Sequence, residues 1–316
     1  MIELDGVSKY FGSFPAITDL SFKVEQGEIL GFLGPNGAGK TTTMKIITGF
    51  MPPSSGSITV AGYDIVNSSL EARRHIGYLP ETVPLYTDMS VEDYLEFMGR
   101  IRGMSGEYLR RRIRESIETS RLQEYQSTHI SKLSKGFRQR VGIAQSILHE
   151  PDVLVLDEPT IGIDPIQVVE TRQLIRSLAG EHTVIVSTHI LPEVSEICER
   201  VIIIHEGQIV AVDRPENLAS RLRGVERIEI SVRGPRRVVT PALEAVEGVH
   251  TVKRTSGEDT GVSTYLVEAR QGRETTSKLA TTVAGQGWDL LHLESVGMSL
   301  EEIFLRLTTA DEVPGA

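Results

Sequence analysis

The sequence of 316 residues has little cysteine and no long apolar run. It contains one cysteine, Cys198, which excludes an internal disulfide and is typical of a cytoplasmic protein. Because Cys198 lies in a helical pattern, we expect a buried structural thiol. No apolar run approaches the length of a membrane-spanning helix, and residues 1–5 do not resemble a signal peptide. We therefore expect any association with a membrane to pass through a partner protein.

The chain also lacks an excess of basic residues. The chain has 33 Lys and Arg against 43 Asp and Glu, which gives a formal net charge of −10. Because sequence-independent binding to nucleic acid depends on neutralising phosphates, this balance argues against it. We expect no nucleic-acid partner.

A glycine-rich segment stands between two apolar stretches. Residues 28–33 before it are typical of a buried strand, and residues 44–47 after it fit a helix. The segment matches G-x-x-x-x-G-K-[ST], in which backbone N–H groups and a helix N-terminus surround a phosphate. Lys40 is predicted to reach the β- and γ-phosphates, and the Thr41 hydroxyl to bind Mg²⁺; a glycine-rich turn is the alternative. The phosphate loop consists of Gly34, Pro35, Asn36, Gly37, Ala38, Gly39, Lys40, Thr41 and Thr42.

Two further apolar runs end in polar residues that could act on a phosphate. Residues 153–156 lead into Asp157 and Glu158, and residues 183–187 are followed closely by His189. Ligands of open α/β sheets bind at the carboxyl ends of the strands. We therefore predict that Asp157 holds the same Mg²⁺, that Glu158 activates a water and that His189 contacts the γ-phosphate. Exposed strand-end acids and a structural histidine are the alternatives.

The middle of the chain carries a helical pattern over residues 91–122, broken near Gly103. After it, residues 133–137 lead into a strong helix pattern, with Ser134 and Gly136 at its start. This predicts a second anion-binding helix N-terminus, or a capped helix without a ligand. The apolar positions of the first pattern are Leu95, Met98, Ile101, Leu109, Ile113 and Ile117.

The amino-terminal segment alternates apolar and polar residues. Residues 2–7 and 20–24 are predicted to be antiparallel strands beside the phosphate-loop strand. Between them lie Tyr10 and Phe11, and an aromatic ring here could stack on a flat base; a surface aromatic in a turn is an equal alternative. Residues 201–212 have the pattern of a closing β-hairpin.

Taken together and in this order, these segments resemble the ATP-binding subunits of ABC transporters over residues 1–219. The resemblance implies an α/β fold of the P-loop NTPase class, an ABC-type cassette with an antiparallel β subdomain and a helical subdomain at about residues 85–150. It also implies a head-to-tail homodimer. Each ATP then lies between one subunit's phosphate loop and residues 134–137 of the other, and the partners are ATP and an integral membrane permease.

The resemblance assigns a role to single positions. Phe11 matches the aromatic that stacks on adenine, Asp157 the Mg²⁺-coordinating acid and Glu158 the catalytic base. His189 matches the switch histidine, and Asp164 the turn acid that communicates across the dimer. Lys40 completes the catalytic set with Mg²⁺, bound together with the substrate ATP. The ATP-contacting signature is Ser134, Lys135, Gly136 and Phe137.

Two departures from the family's pattern point to one of its branches. Lys135 and Phe137 stand where the usual signature has glycine and glutamine, and Glu81 stands where a glutamine contacts Mg²⁺ and couples to the membrane subunit. Both variants resemble exporters with a separately encoded permease, of the gliding-motility, sodium-efflux, antibiotic or polysaccharide type. This implies an ATPase bound peripherally at the cytoplasmic face of the cell membrane, with an unspecified cargo.

Residues 220–316 form a separate pattern. Strands and helices in the order β-α-β-β-α-β, with a helix after Pro241, predict an accessory α+β domain of the ferredoxin-like class. A capping box at Ser299 predicts a last helix that includes Phe304 and Leu307. No catalytic motif is present, so a packing or dimer-stabilising role is favoured over a small-ligand sensor.

Two other functions remain open from the sequence. The first is a soluble ABC ATPase acting on ribosomes or nucleic acid; such proteins usually carry two cassettes or a long coiled-coil insertion, and this chain has one cassette and no heptad run. The second is a regulatory module that binds ATP without turnover, which an assay of phosphate release would distinguish.

Overall fold

The computed structural model describes residues 1–215, 217, 226–257, 261–270 and 273–296. These residues divide into two compact units, with the division after Pro215. The strands of the first unit are β1 (Ile2–Phe11), β2 (Phe14–Val24), β3 (Ile29–Leu33), β4 (Ser55–Val60), β5 (Tyr63–Asp64), β6 (Ile76–Leu79), β7 (Val153–Asp157), β8 (Thr183–Thr188), β9 (Arg200–His205) and β10 (Gln208–Asp213). Its helices are α1 (Lys40–Ile47), α2 (Ser69–Arg74), α3 (Val91–Ile101), α4 (Gly106–Thr119), α5 (Lys135–Ile147), α6 (Pro165–Ser177) and α7 (Leu191–Ile197).

A six-stranded sheet in the order β10-β9-β3-β8-β7-β6 forms the centre of this unit. All its strands are parallel except β10, which pairs antiparallel with β9 as the hairpin pattern predicts. β3, β7 and β8 are buried along their whole length, as their continuous apolar runs predict. The carboxyl ends of these three strands lie at one edge of the sheet, at Leu33, Asp157 and Thr188.

The amino-terminal strands belong to a second sheet, in the order β2-β1-β4-β5. The prediction of antiparallel strands is confirmed, but their placement beside the phosphate-loop strand is wrong. The reason is that both edges of β3 are already hydrogen-bonded, to β8 and to β9. The two sheets share one apolar core, in which the rings of Phe22 and Phe32 lie 5.7 Å apart.

Helices α3, α4 and α5 enclose an apolar cluster of their own. The predicted break between the first two is confirmed, and Gly103 and Gly106 there have φ of +79° and +63°. Most of the predicted apolar positions are buried in this cluster, but Ile101 is 63% exposed. Ile101 is the last residue of α3, and the helical period alone does not show where the helix ends.

Cys198 follows α7 and is buried, as the sequence predicts. A Cβ atom added to Gly31 of β3 would lie 3.1 Å from its Sγ atom, so the thiol packs against the central sheet. Burial raises the pKa of the Cys198 thiol above its ordinary value, with smaller contributions from Glu199 and Glu28. The thiol is therefore protonated and unreactive.

The second unit contains β11 (Glu226–Arg233), α8 (Arg236–Glu244), β12 (Val249–Gly257), β13 (Val262–Ala269), α9 (Arg273–Gly285) and β14 (Asp289–Val296). The strands form an antiparallel sheet in the order β12-β13-β11-β14, and its buried face packs with both helices in a separate apolar core. The predicted order of elements is confirmed. The predicted start of the first helix is wrong, because Pro235 caps α8 and Pro241 lies inside it.

The predicted helix after Ser299 lies outside the described residues. Within them, no helix is long and apolar enough to cross a bilayer.

Candidate active site

The phosphate loop joins β3 to α1, and its glycines are required by their surroundings. Gly37 has φ of +82°, and Gly39, which caps α1, has φ of +105°. These are backbone conformations that glycine adopts without strain. A Cβ atom on Gly34 would lie 2.4 Å from the carbonyl oxygen of Ile204 in β9. The neighbouring strand therefore fixes the loop, and only glycine fits at its first position.

Lys40, the first residue of α1, lies folded over this loop. Its ammonium donates to the carbonyl oxygens of Gly34 at 2.8 Å and Pro35 at 3.2 Å. It also forms an ion pair with Glu158, at 3.2 Å between Nζ and Oε1, and both side chains are buried. The structure thus brings together the predicted phosphate-binding cation and the predicted base.

Asp157 ends β7 with its carboxylate buried. Oδ1 accepts a hydrogen bond of 2.5 Å from the Ser187 hydroxyl, whereas Oδ2 is buried without a hydrogen-bond partner. Burial raises the pKa of the Asp157 carboxyl, and the hydroxyls of Ser187 and Thr41 oppose that rise. A buried oxygen without a donor is costly unless a cation or a ligand completes it.

Asp157, Thr41 and Glu81 fit a magnesium ion. Oδ2 of Asp157 has no hydrogen-bond partner, and the Thr41 hydroxyl interacts with the Asp157 carboxyl. Glu81 is exposed on the cavity that Thr41 also lines. Across the described part of the chain, no group of three or more His, Cys, Asp and Glu could hold a metal. The donor set suits Mg²⁺, which keeps several waters and substrate phosphates as ligands, better than it suits an all-protein metal cage.

Glu158 has an unusual backbone and a defined side-chain partner. Its φ of +50° lies in the left-handed region, which costs a residue other than glycine of order 1 kcal/mol. The Glu158 N–H donates to the Ser187 hydroxyl at 3.0 Å. Its Oε2 atom lies 3.0 Å from Nδ1 of His189. The two predicted catalytic side chains, which directly follow β7 and β8, are therefore in contact.

A cavity of about 410 Å³ opens above the phosphate loop. Of the predicted residues it collects Phe11, Lys40, Thr41, Glu81 and Glu158, together with Asn36, Gly37, Gly39 and Thr42 of the loop. Its remaining walls come from Phe14, Ala16 and Ile161. Both aromatic side chains are more than half exposed, and they face each other across the turn between β1 and β2.

The predicted signature residues lie elsewhere, in a second cluster. Ser134 caps α5, and its hydroxyl accepts from the Phe137 N–H at 3.4 Å. Asp164 caps the neighbouring helix α6 and accepts from the Gln167 N–H at 3.0 Å. The Gln167 side-chain amide reaches back to Ser134 Oγ at 3.5 Å. None of these residues lines the cavity above the phosphate loop.

The ends of two flexible side chains cover the glycines of this second cluster. A Cβ atom on Gly136 would collide with Oε1 of Gln167, and one on Gly162 with Nζ of Lys135. The Phe137 ring packs against Tyr125 at 4.2 Å between centroids, within the helical cluster. Of the four predicted signature residues, Phe137 is therefore the one whose side chain is used for packing.

Four residues of this region were missed by the sequence reasoning. Ser187 and Gln167 make contacts between segments distant in the chain, and no local pattern indicates those contacts. Glu193 of α7 is buried against two hydroxyls and looks in the sequence like any solvent-facing helix acid. Phe14 could have been found, since a second aromatic after the turn is the mate of Phe11.

Comparisons with known proteins agree with this geometry. Residues 17–161 match the family model described as ABC transporter. The chain is 32% identical over 309 residues to the linearmycin resistance ATP-binding protein LnrL of Bacillus subtilis (strain 168), covering 98% of each chain. It is also 32% identical to the Nod factor export ATP-binding protein I of Ralstonia nicotianae, covering 98% of this chain and 94% of that one.

The chain is also similar to a solved structure, that of a dimeric ATP-binding cassette in a post-hydrolysis state, bound to ADP and Pi. The similarity has a TM-score of 0.62 at 26% identity, and it covers 68% of this chain and 99% of the other.

Proposed function

The chain belongs to the ABC transporter family as an ATP-binding ATPase subunit, and from that premise we propose the working cycle of an exporter. MgATP closes a head-to-tail homodimer, and hydrolysis reopens it to drive a separate integral membrane permease. The observation that carries this proposal is the meeting of Lys40, Glu158 and His189 at the carboxyl edge of the central sheet. The subunit is then bound peripherally at the cytoplasmic face of the membrane, where it contacts its permease.

The residues of the first cavity supply the chemistry of hydrolysis. Lys40 and the loop N–H groups hold the phosphates, and Phe11 stacks on the adenine. The Glu158 carboxylate takes a proton from the attacking water as the water oxygen bonds to the γ-phosphorus and the bond to the bridging oxygen breaks. His189 contacts the γ-phosphate and keeps Glu158 in place. Thr41, Asp157 and Glu81 would hold Mg²⁺, which when bound would neutralise charge on the phosphate oxygens.

A second copy of the chain completes the site. Ser134, Lys135 and Gly136 stand at the start of α5, where the helix dipole and backbone favour an anion, but they lie outside the cavity of their own chain. In the head-to-tail dimer the signature segment of each subunit covers the γ-phosphate bound by the other. The dimeric state of the solved relative supports this arrangement.

The remaining parts of the chain transmit or support the closing and reopening of the dimer. Glu81 and helices α3 and α4 transmit this motion to the permease, and Asp164 communicates between the two ATP sites of the dimer. We assign residues 1–219 to the cassette and residues 220–316 to an accessory domain of the ferredoxin-like class. The element order and the strand order β12-β13-β11-β14 support that class.

Phosphate release from MgATP tests the proposed function directly. Glu158→Gln keeps the size of the side chain and removes proton acceptance, so hydrolysis should slow by roughly 10²–10⁴-fold while ATP still binds. In gel filtration with MgATP this variant should run as a dimer, and adding Ser134→Arg should abolish the dimer. Glu118→Gln, at an exposed position on α4, is the matched control.

Two outcomes would contradict the proposal. Hydrolysis by Glu158→Gln at the parent rate would refute the assigned base. A Glu158→Gln protein that binds ATP and stays monomeric would refute the shared site.

A further inference from the structure

A buried carboxylate lies behind the catalytic residues, on the helix that follows His189. Glu193 belongs to α7 and is only 8% exposed. Its Oε2 atom accepts two hydrogen bonds, from the Thr160 hydroxyl at 2.7 Å and from the Thr188 hydroxyl at 3.0 Å. Burying a carboxylate is costly unless its hydrogen bonds are made, and charge-assisted bonds are stronger than neutral ones. Glu193 thus connects α7 to two other segments of the chain, those that carry Thr160 and Thr188.

The two hydroxyls belong to the segments that carry the proposed catalytic pair. Thr160 lies two residues after Glu158 in the turn that follows β7, and Thr188 ends β8 directly before His189. Thr188 is itself held at two further points. Its hydroxyl accepts from the Ile190 N–H at 3.1 Å, and its carbonyl accepts from the Gly34 N–H at 3.3 Å.

These contacts close a ring. At its front, Nδ1 of His189 lies 3.0 Å from Oε2 of Glu158; at its back, Glu193 joins Thr160 to Thr188. The backbone from Glu158 to Thr160 forms one side, and the peptide between Thr188 and His189 forms the other. Because the segments are joined at both ends, neither can move without straining the other.

We propose that Glu193 is a positioning residue for hydrolysis, which holds His189 and Glu158 in register through the Thr160 and Thr188 hydroxyls. This inference rests on the catalytic roles proposed above for that pair. Glu193 itself does not line the cavity above the phosphate loop. Its effect belongs to the chemical step and not to ATP binding, because the phosphate loop and Phe11 hold the nucleotide.

Removing the acceptor should separate turnover from binding. In Glu193→Leu the two hydroxyls lose their common acceptor, and the catalytic segments can shift by a fraction of an ångström to about 1 Å. Misplacement of that size costs up to about 10²-fold in rate, so we expect kcat to fall about 10- to 100-fold. The KM for ATP and the affinity for ATP should stay within about threefold of the parent.

A conservative variant distinguishes this role from a structural one. Glu193→Gln retains an amide oxygen that can accept both hydroxyls, so kcat should recover to within about threefold of the parent. Thr160→Val and Thr188→Val each remove one hydrogen bond to Glu193 and should each lower kcat; Thr188→Val also removes the acceptor of the Ile190 N–H. Combined with Glu193→Leu, Thr160→Val should add little, because the acceptor is already gone. Glu196→Leu, an exposed position on α7, is the control that should leave kcat unchanged.

The measurement is steady-state phosphate release by the full chain, with the folded fraction of each variant fixed by its thermal transition. If Glu193→Leu does not fold, the two threonine variants carry the test. Parent kcat in folded Glu193→Leu or in both threonine variants overturns the inference, as does a Glu193→Gln enzyme as slow as Glu193→Leu. A fast Glu158→Gln enzyme refutes the proposed base instead, so the two failures are distinguishable.

Discussion

The ammonium of Lys40 lies 3.2 Å from the carboxylate of Glu158, and both side chains are at least 94% buried. The cation proposed to bind the phosphates therefore also balances the charge of the proposed base. Each residue has a second set of contacts, to the loop carbonyls and to His189. Changing either residue should thus affect the stability of the fold as well as the reaction.

Lys40→Met should destabilise the protein. It leaves the Glu158 carboxylate buried beside a thioether, and breaking a buried ion pair in this way costs about 3–5 kcal/mol. Adding Glu158→Gln removes the orphaned charge and should restore at least half of the lost free energy of unfolding without restoring activity. The free energies of unfolding are measured in urea for the parent, Lys40→Met, Glu158→Gln and the double variant.

The control for that cycle is Lys23→Met, at an exposed ion pair with Glu3, which should leave the urea midpoint unchanged. Equal stability of Lys40→Met and the parent would show that the pair has no role in the fold.

Ser187→Ala should weaken the response to magnesium. The Ser187 hydroxyl donates to Asp157 and accepts from the Glu158 N–H, so it orients the carboxylate proposed to bind the ion. Residues that orient a metal ligand typically change affinity about 10- to 100-fold. We expect the Mg²⁺ concentration for half-maximal ATP binding and hydrolysis to rise by about tenfold, and Ser187→Thr to retain most of the parent behaviour. An unchanged Mg²⁺ titration of ATP binding would contradict this role.

Gly136→Ala should impair dimer closure. The new methyl group would occupy the position of the Gln167 side-chain oxygen and displace the amide that bridges α6 and α5. We expect dimer formation with MgATP, measured in the Glu158→Gln background, to weaken a few-fold, because the Gln167 amide loses its contact with Ser134 although its flexible side chain can move aside. Gln167→Ala should partly rescue it by making room. Gly285→Ala, where a Cβ atom meets nothing within 4 Å, should have no effect.

Truncation after residue 219 should leave nucleotide binding intact. The two units have separate apolar cores, and the phosphate loop with all its described contacts lies in the first. The ATP affinity of the truncated chain, measured by calorimetry, should match that of the full chain within about twofold. A truncated protein that folds and does not bind ATP would show that the proposed boundary is wrong.

The comparison of sequence with structure shows which interactions a local pattern can reveal. The sequence predicts the strand before the phosphate loop and the strand that ends at Asp157, because burial over consecutive residues leaves a continuous apolar run. The second sheet was misplaced because strand partners are chosen between segments, and both edges of β3 were already occupied. Ser187 was missed for the same reason, since its hydrogen-bond partner Asp157 lies about 30 residues away in the chain. The same holds for the bond between Glu193 and Thr160.

The position of β3 in the central sheet also bears on synthesis of the chain. Its strand partners are β8 (Thr183–Thr188) and β9 (Arg200–His205), so the strand that leads into the phosphate loop has no partner in its sheet until most of the cassette has left the ribosome. Contacts between segments this far apart close slowly and late. Nascent chains halted before residue 205 should therefore lack a formed nucleotide site, although the whole loop sequence is already present.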